Sequence, residues 1–164
     1  MPLTLRKYQH SDADSIVEIF NDPEITANLN DLPSPYTHQD AMDWFKLQET
    51  SPDHVFAIEY EGLYIGSVGF HHKTDVYRLT YDAGYYVAKS HWGKGIATAA
   101  LKSGCAYMFE NTEAARIQAG IYAHNRGSRR VAEKSGFTLE SVMRNAAIKN
   151  GELIDLAMYV LLRP

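Results

Sequence analysis

The stretch "HWGKGIATAALKSG", residues 91–104, decides how the rest of the chain is read. From Ile96 onward it is a good helix, yet two glycines and a lysine precede it, directly after the tyrosine-rich "YDAGYYV" of residues 81–87. Glycine inside a helix costs about 1 kcal/mol relative to alanine. At a helix start it has another use. The first turn leaves backbone N–H groups without intrahelical partners, and the helix dipole favours negative charge there. A strand, a glycine-rich turn and a helix therefore read as a cradle for a phosphate. No GxxxxGK[ST] and no G-x-G-x-x-G is present, which removes the P-loop and the dinucleotide fingerprint.

Working outward, "LTLRKY" alternates and predicts an opening strand. "SDADSIVEIFND" predicts a helix capped by Ser11 or Asp12, and "THQDAMDWFKLQET" a second capped by Thr37. The proline-punctuated "PEITANLNDLPSPY" between them reads as loop with a short helix. "HVFAIEYEGLYIGSVGFHH" reads as two strands turning at Glu61–Gly62, and "VYRLTYDAGYYV" as a long strand. The opening stretch then supplies a helix to about Phe109. "ARIQAGIYAH" predicts a strand and "NRGSRRVAEKSG" a short helix closed by Gly136. A final hairpin turns at Asn150–Gly151. The first half lacks regular βαβ alternation. The order predicts a mixed α/β domain with a largely antiparallel sheet, in one domain spanning 1–164.

Composition narrows the function classes. Sixteen basic and 20 acidic residues give a net charge of -4, which argues against a general nucleic-acid surface. The single cysteine, Cys105, excludes an intrachain disulfide and a Cys-rich zinc site. It falls mid-helix and reads as core. The first residues turn polar too early for a signal peptide, and no apolar run nears the roughly 20 residues of a membrane span. A soluble, cytoplasmic protein without membrane contact is expected, as monomer or homodimer. His71 and His72 are adjacent on a strand, point to opposite faces, and are not expected to share a metal ion; no metal site is predicted.

These blocks resemble the GNAT superfamily of acetyl-CoA-dependent N-acetyltransferases over nearly the whole chain. The family signature [Q/R]-x-x-G-x-[G/A] is met by Gly95, Ile96 and Ala97, while Trp92 departs from its first position. "WGKGIAT" is similar to the branch of ribosomal-protein alanine and serine N-acetyltransferases. So is the block formed by Asn125, Ser128, Val131, Glu133, Lys134, Gly136 and Phe137. Arg144, Asn150–Gly151, Asp155 and Tyr159 match that branch's ending. The resemblance implies a GNAT-like sheet of about seven strands with about four helices, splayed between strands four and five. It implies acetyl-CoA as cosubstrate, its pyrophosphate on Gly93, Lys94, Gly95, Ile96, Ala97 and Thr98. Backbone groups of Tyr85, Tyr86 and Val87 would pair with the pantetheine arm, Asn125 would bond it, and Lys134 or Arg130 would meet the 3′-phosphate. For Asn125, helix capping is the competing role.

The chemistry needs a neutral amine, a base, and a donor for the departing thiolate. The family's tyrosine donor matches Ala132 here, so the resemblance shifts the role to Ser128. The glutamate base of some relatives matches Ala147 or its neighbours. Asp82 is the first candidate base, with Glu59, Glu24 and Asp31 behind it and a water chain as the other route. The expected acceptor is a protein N-terminal amine. The alternatives are a polyamine, aminoglycoside or amino acid, or a non-catalytic acyl-CoA-binding module.

Overall fold

In the computed structural model, which describes residues 2–164, capping and turn chemistry set several element boundaries. The elements are β1 (Leu3–Arg6), α1 (Ala13–Phe20), α2 (Pro23–Thr26), α3 (His38–Gln48), β2 (His54–Tyr60), β3 (Leu63–His72), β4 (Thr80–Val87), α4 (Ile96–Asn111), β5 (Arg116–Tyr122), α5 (Arg126–Lys134), β6 (Thr138–Lys149) and β7 (Glu152–Leu162). Thr37 caps α3 with a capping box to Asp40. Asn150 and Gly151 take positive φ of 51° and 80°, as a tight hairpin of this twist requires.

The short helix expected in the proline-punctuated segment is α2, a single turn started by Asp22 and Pro23: the Asp22 carboxylate accepts the Glu24 N–H. Two expectations change. The long strand expected from Val76 begins only at Thr80, since Asp75–Tyr77 forms a 3-10 turn after Asp75 at φ 58°. Asp12 stands at the start of α1 without capping it through its side chain. Its buried carboxylate accepts instead from Arg6 at 2.8 and 2.9 Å and from the Gln9 N–H.

The sheet has seven strands in the order β1-β2-β3-β4-β5-β7-β6, antiparallel except for β4–β5. That parallel pair spans only Thr80–Asp82 against Arg116–Gln118. Beyond it β4 and β5 separate, which is the splay the resemblance implied. The main core lies under α4 and α5, where Val68, Phe70, Tyr81 and Val87 meet Leu101, Cys105, Met108 and Ala132. Gly104 allows α4 to sit this close, because a Cβ there would lie 2.7 Å from the Phe70 ring. A smaller core of Ala13, Ile16, Tyr36, Ala41 and Phe45 joins α1 to α3.

Candidate functional site

The splay opens into a cleft of about 600 Å³ between β4, the start of α4, α5 and the α2 segment. That volume suits a small-molecule site. One wall is the end of β4. Ala88 donates to the Ile65 carbonyl at 2.7 Å, and Lys73 to the Thr80 carbonyl at 3.1 Å. These two bonds fix the alternation of the β3–β4 ladder. Even-numbered residues of β4 turn their backbone groups toward β3, and odd-numbered ones toward β5. Tyr85 and Val87 therefore present backbone groups to the gap, and Tyr86 does not. This corrects the expectation that all three do so. The Val87 carbonyl is already occupied by the Trp92 indole N–H at 2.7 Å, which leaves its N–H facing the gap. Trp92, the residue that departs from the signature, thus ties the glycine-rich turn to the strand.

β3 supports this wall in a way the sequence reading missed. Its pairing with β2 steps from Ile58↔Gly66 to Glu59↔Tyr64, so Ile65 is a bulge. Beside it, a Cβ on Gly66 would lie 2.2 Å from the Tyr86 carbonyl oxygen. Only glycine lets the two strands approach so closely there.

The next wall is the N-terminus of α4. Gly93 and Gly95 take left-handed φ of 74° and 75°. No side chain caps the helix, and the first intrahelical bond runs from Ala99 N–H to the Gly95 carbonyl. The N–H groups of Ile96, Ala97 and Thr98 have no intrahelical acceptor, and all three residues line the cleft. Lys94 does not line it. Across from them, Arg130 and Lys134 of α5 also face the cleft. An open helix N-terminus opposite two cations suits a polyanion.

Helix α5 carries the remaining candidates. Asn125 Oδ1 accepts the Ser128 N–H at 3.2 Å, so this residue caps α5 while also lining the cleft. The Tyr85 hydroxyl lies 2.8 Å from the Ser128 carbonyl and 2.9 Å from Ser128 Oγ. Burial pushes the Tyr85 phenol up to about 12. Sequence reasoning gave Tyr85 only a backbone role. Ala132 is fully buried and faces the core rather than the cleft; the cleft-facing position near Ser128 is Val131.

Asp82 stands apart. It lies where β4 and β5 are still paired and does not line the cleft. Its carboxylate accepts from Gln118 at 2.7 Å and pairs with Lys73 at 3.3 Å. Glu59 is held by Arg6 at 2.6 Å, also away from the cleft. Glu24 lines the cleft, paired with Lys89 at 2.6 Å, and Asp31 pairs with Lys149 at 3.2 Å. Cys105 is buried, and burial pushes its thiol up to about 12. His71 meets Asp53 while His72 reaches the Arg78 carbonyl. Among the described residues no group of three or more His, Cys, Asp or Glu is placed to hold a metal ion.

Comparison with known proteins bears on the fold and the family. A Bacillus licheniformis protein with the name "Uncharacterized N-acetyltransferase p20" is 29% identical, over 98% of this chain and 93% of the relative. A Bacillus subtilis protein with the name "Putative ribosomal N-acetyltransferase YdaF" is 29% identical over 98% of this chain and 91% of its own length. The crystal structure of an N-acetyltransferase from Staphylococcus aureus Mu50 superposes with a TM-score of 0.84 at 26% identity, covering 100% of both chains. An acetyltransferase structure from Salmonella typhimurium with its cofactor acetyl-CoA does so with a TM-score of 0.78 at 25% identity, over 100% of this chain and 95% of that one. The family model described as "Acetyltransferase (GNAT) domain" matches residues 2–138, and the chain belongs to the GNAT family of N-acetyltransferases.

Proposed function

We propose that this enzyme moves the acetyl group of acetyl-CoA directly to a primary amine, and that the amine is a protein N-terminus. One observation carries the reading: the gap between β4 and β5 ends at the uncapped start of α4, with Arg130 and Lys134 opposite. A pyrophosphate at Ile96–Thr98 fits that charge, and a thioester arm running along the gap meets the backbone groups of Tyr85 and Val87. The Val87 N–H is the donor for the acetyl carbonyl oxygen, where negative charge develops during transfer. Ser128 serves the departing sulfur. The amine proton leaves through water, because Glu24 is already held by Lys89 and Asp82 lies outside the cleft.

The acceptor assignment draws on the relative described as ribosomal and on charge. Glu24 and Asp31, two acidic residues of the segment between α1 and α3, are both engaged by lysines. A polyamine would have to compete with Lys89 and Lys149 for them, whereas a peptide amine brings only one positive charge. The test is release of free thiol from acetyl-CoA against N-terminal peptides, polyamines, aminoglycosides and amino acids. Peptides are expected to support the fastest release. Faster turnover with a small amine would overturn the acceptor class. Coenzyme binding without thiol release for any amine would overturn the transferase reading in favour of an acyl-CoA-binding module.

A further inference from the structure

The Tyr85 hydroxyl touches two oxygens of a single residue, the Ser128 carbonyl at 2.8 Å and Ser128 Oγ at 2.9 Å. A phenol has one proton to donate. The carbonyl only accepts, while the serine hydroxyl donates and accepts. Two arrangements satisfy the same heavy-atom positions. In one, Tyr85 donates to the carbonyl and Ser128 donates to the phenol oxygen, so Ser128 turns only lone pairs to the cleft. In the other, Tyr85 donates to Ser128 Oγ, and the serine proton is free to point into the cleft. Lone pairs repel a thiolate and a proton attracts it, so charge in the cleft selects the second arrangement.

We propose that Tyr85 is a positioning residue for acetyl transfer: its single proton swings from the Ser128 carbonyl to Ser128 Oγ as charge develops on the departing sulfur, and Ser128 becomes a donor to that sulfur at that moment. The proposal rests on the transferase reading and on the role of Ser128 within it. The N–C bond forms, the C–S bond breaks, and the electron pair goes to sulfur. The network supplies hydrogen bonds and keeps both its protons. The phenol, held near 12 by burial, does not ionise where a thiolate leaves. The thiolate takes its proton from solvent, and solvent receives the proton that the amine gives up. Donation that strengthens only as charge appears acts on the transition state rather than on substrate binding.

The experiment is a double-mutant cycle of Tyr85→Phe and Ser128→Ala in the full chain, with acetyl-CoA and the best amine of the panel. The phenylalanine keeps the ring in place. Removing one hydrogen bond from the donor network should lower kcat about tenfold, while KM for acetyl-CoA stays within about twofold. The double variant should be no slower than Ser128→Ala alone, because the effect of Tyr85 passes through Ser128. Independent, multiplicative losses would overturn the proposal. So would an unchanged kcat in Tyr85→Phe, or a loss seen only in KM. A wild-type protein that releases no thiol with any amine overturns the transferase reading itself, before any Tyr85 variant is compared.

Discussion

Gly66→Ala tests whether the end of β4 is the wall along which transfer occurs. The added methyl would stand 2.2 Å from the Tyr86 carbonyl oxygen and 3.0 Å from Val87 Cα. Both are backbone atoms, so no side chain can rotate away. Ordinary carbon contacts begin near 3.5 Å, so the Tyr86–Val87 segment must retreat by roughly 1 Å. Overpacking of this kind costs about 1–3 kcal/mol. In a protein of this size each kcal/mol lowers Tm by roughly 2–4 °C. The larger effect is on the reaction, because a misplacement of about 1 Å at a reacting site can cost on the order of 100-fold. Gly84→Ala is the control on the same strand, since a Cβ at Gly84 meets nothing within 4 Å. Thermal melts and steady-state kinetics with acetyl-CoA should show Gly66→Ala folded but slow, and Gly84→Ala close to wild type. A folded Gly66→Ala protein with wild-type turnover would refute the reasoning, because the Val87 N–H could then move without consequence.

Gly95→Val should weaken acetyl-CoA binding at least tenfold by calorimetry, since residue 95 sits at φ 75° and a β-branched residue there is strained by about 1–2 kcal/mol; unchanged affinity in the folded variant places the phosphates elsewhere. Asn125→Ala should lose the α5 cap, costing about 1 kcal/mol of stability, and should also raise KM for acetyl-CoA; a lower Tm with unchanged KM would assign the residue to capping alone. Iodoacetamide at pH 8 should leave activity intact, because Cys105 is buried with its thiol pushed up to about 12. Rapid inactivation that acetyl-CoA prevents would instead argue for a cysteine-linked acyl intermediate.

Features of the fold controlled by local chemistry were legible in the sequence. Thr37 with Asp40, Gly136 after α5 and Asn150–Gly151 each act within a few residues, and each stands where expected. The left-handed glycines before α4 belong to the same group, which is why the glycine-rich turn and the start of α4 could be read from residues 91–104 alone. Contacts between distant residues were not legible. Gly66 and Tyr86 are brought together by strand pairing, and Tyr85 and Ser128 by the packing of α5 over β4. Asp82 carries a carboxylate on the right strand, but the point where β4 and β5 part is set by pairing, and it falls just beyond that residue.

Helix α5 shows the limit most sharply. Positions 131 and 132 both lie about one turn beyond Ser128, one on each side of its line along the helix. Spacing alone therefore cannot choose which of them looks into the cleft. Tyr159 makes the choice. Its buried hydroxyl donates to Glu133 at 2.9 Å and accepts from Arg129 at 3.0 Å, so the Arg129–Glu133 side of α5 is held against β7. Ala132, on that same side, turns into the core, and Val131 turns toward the cleft. A tyrosine at 132 would have to enter the filled core under α5, whereas the same ring at 131 has the open side before it. The position that matches the family's tyrosine is therefore fully buried here, and its neighbour at 131 is the one that lines the cleft.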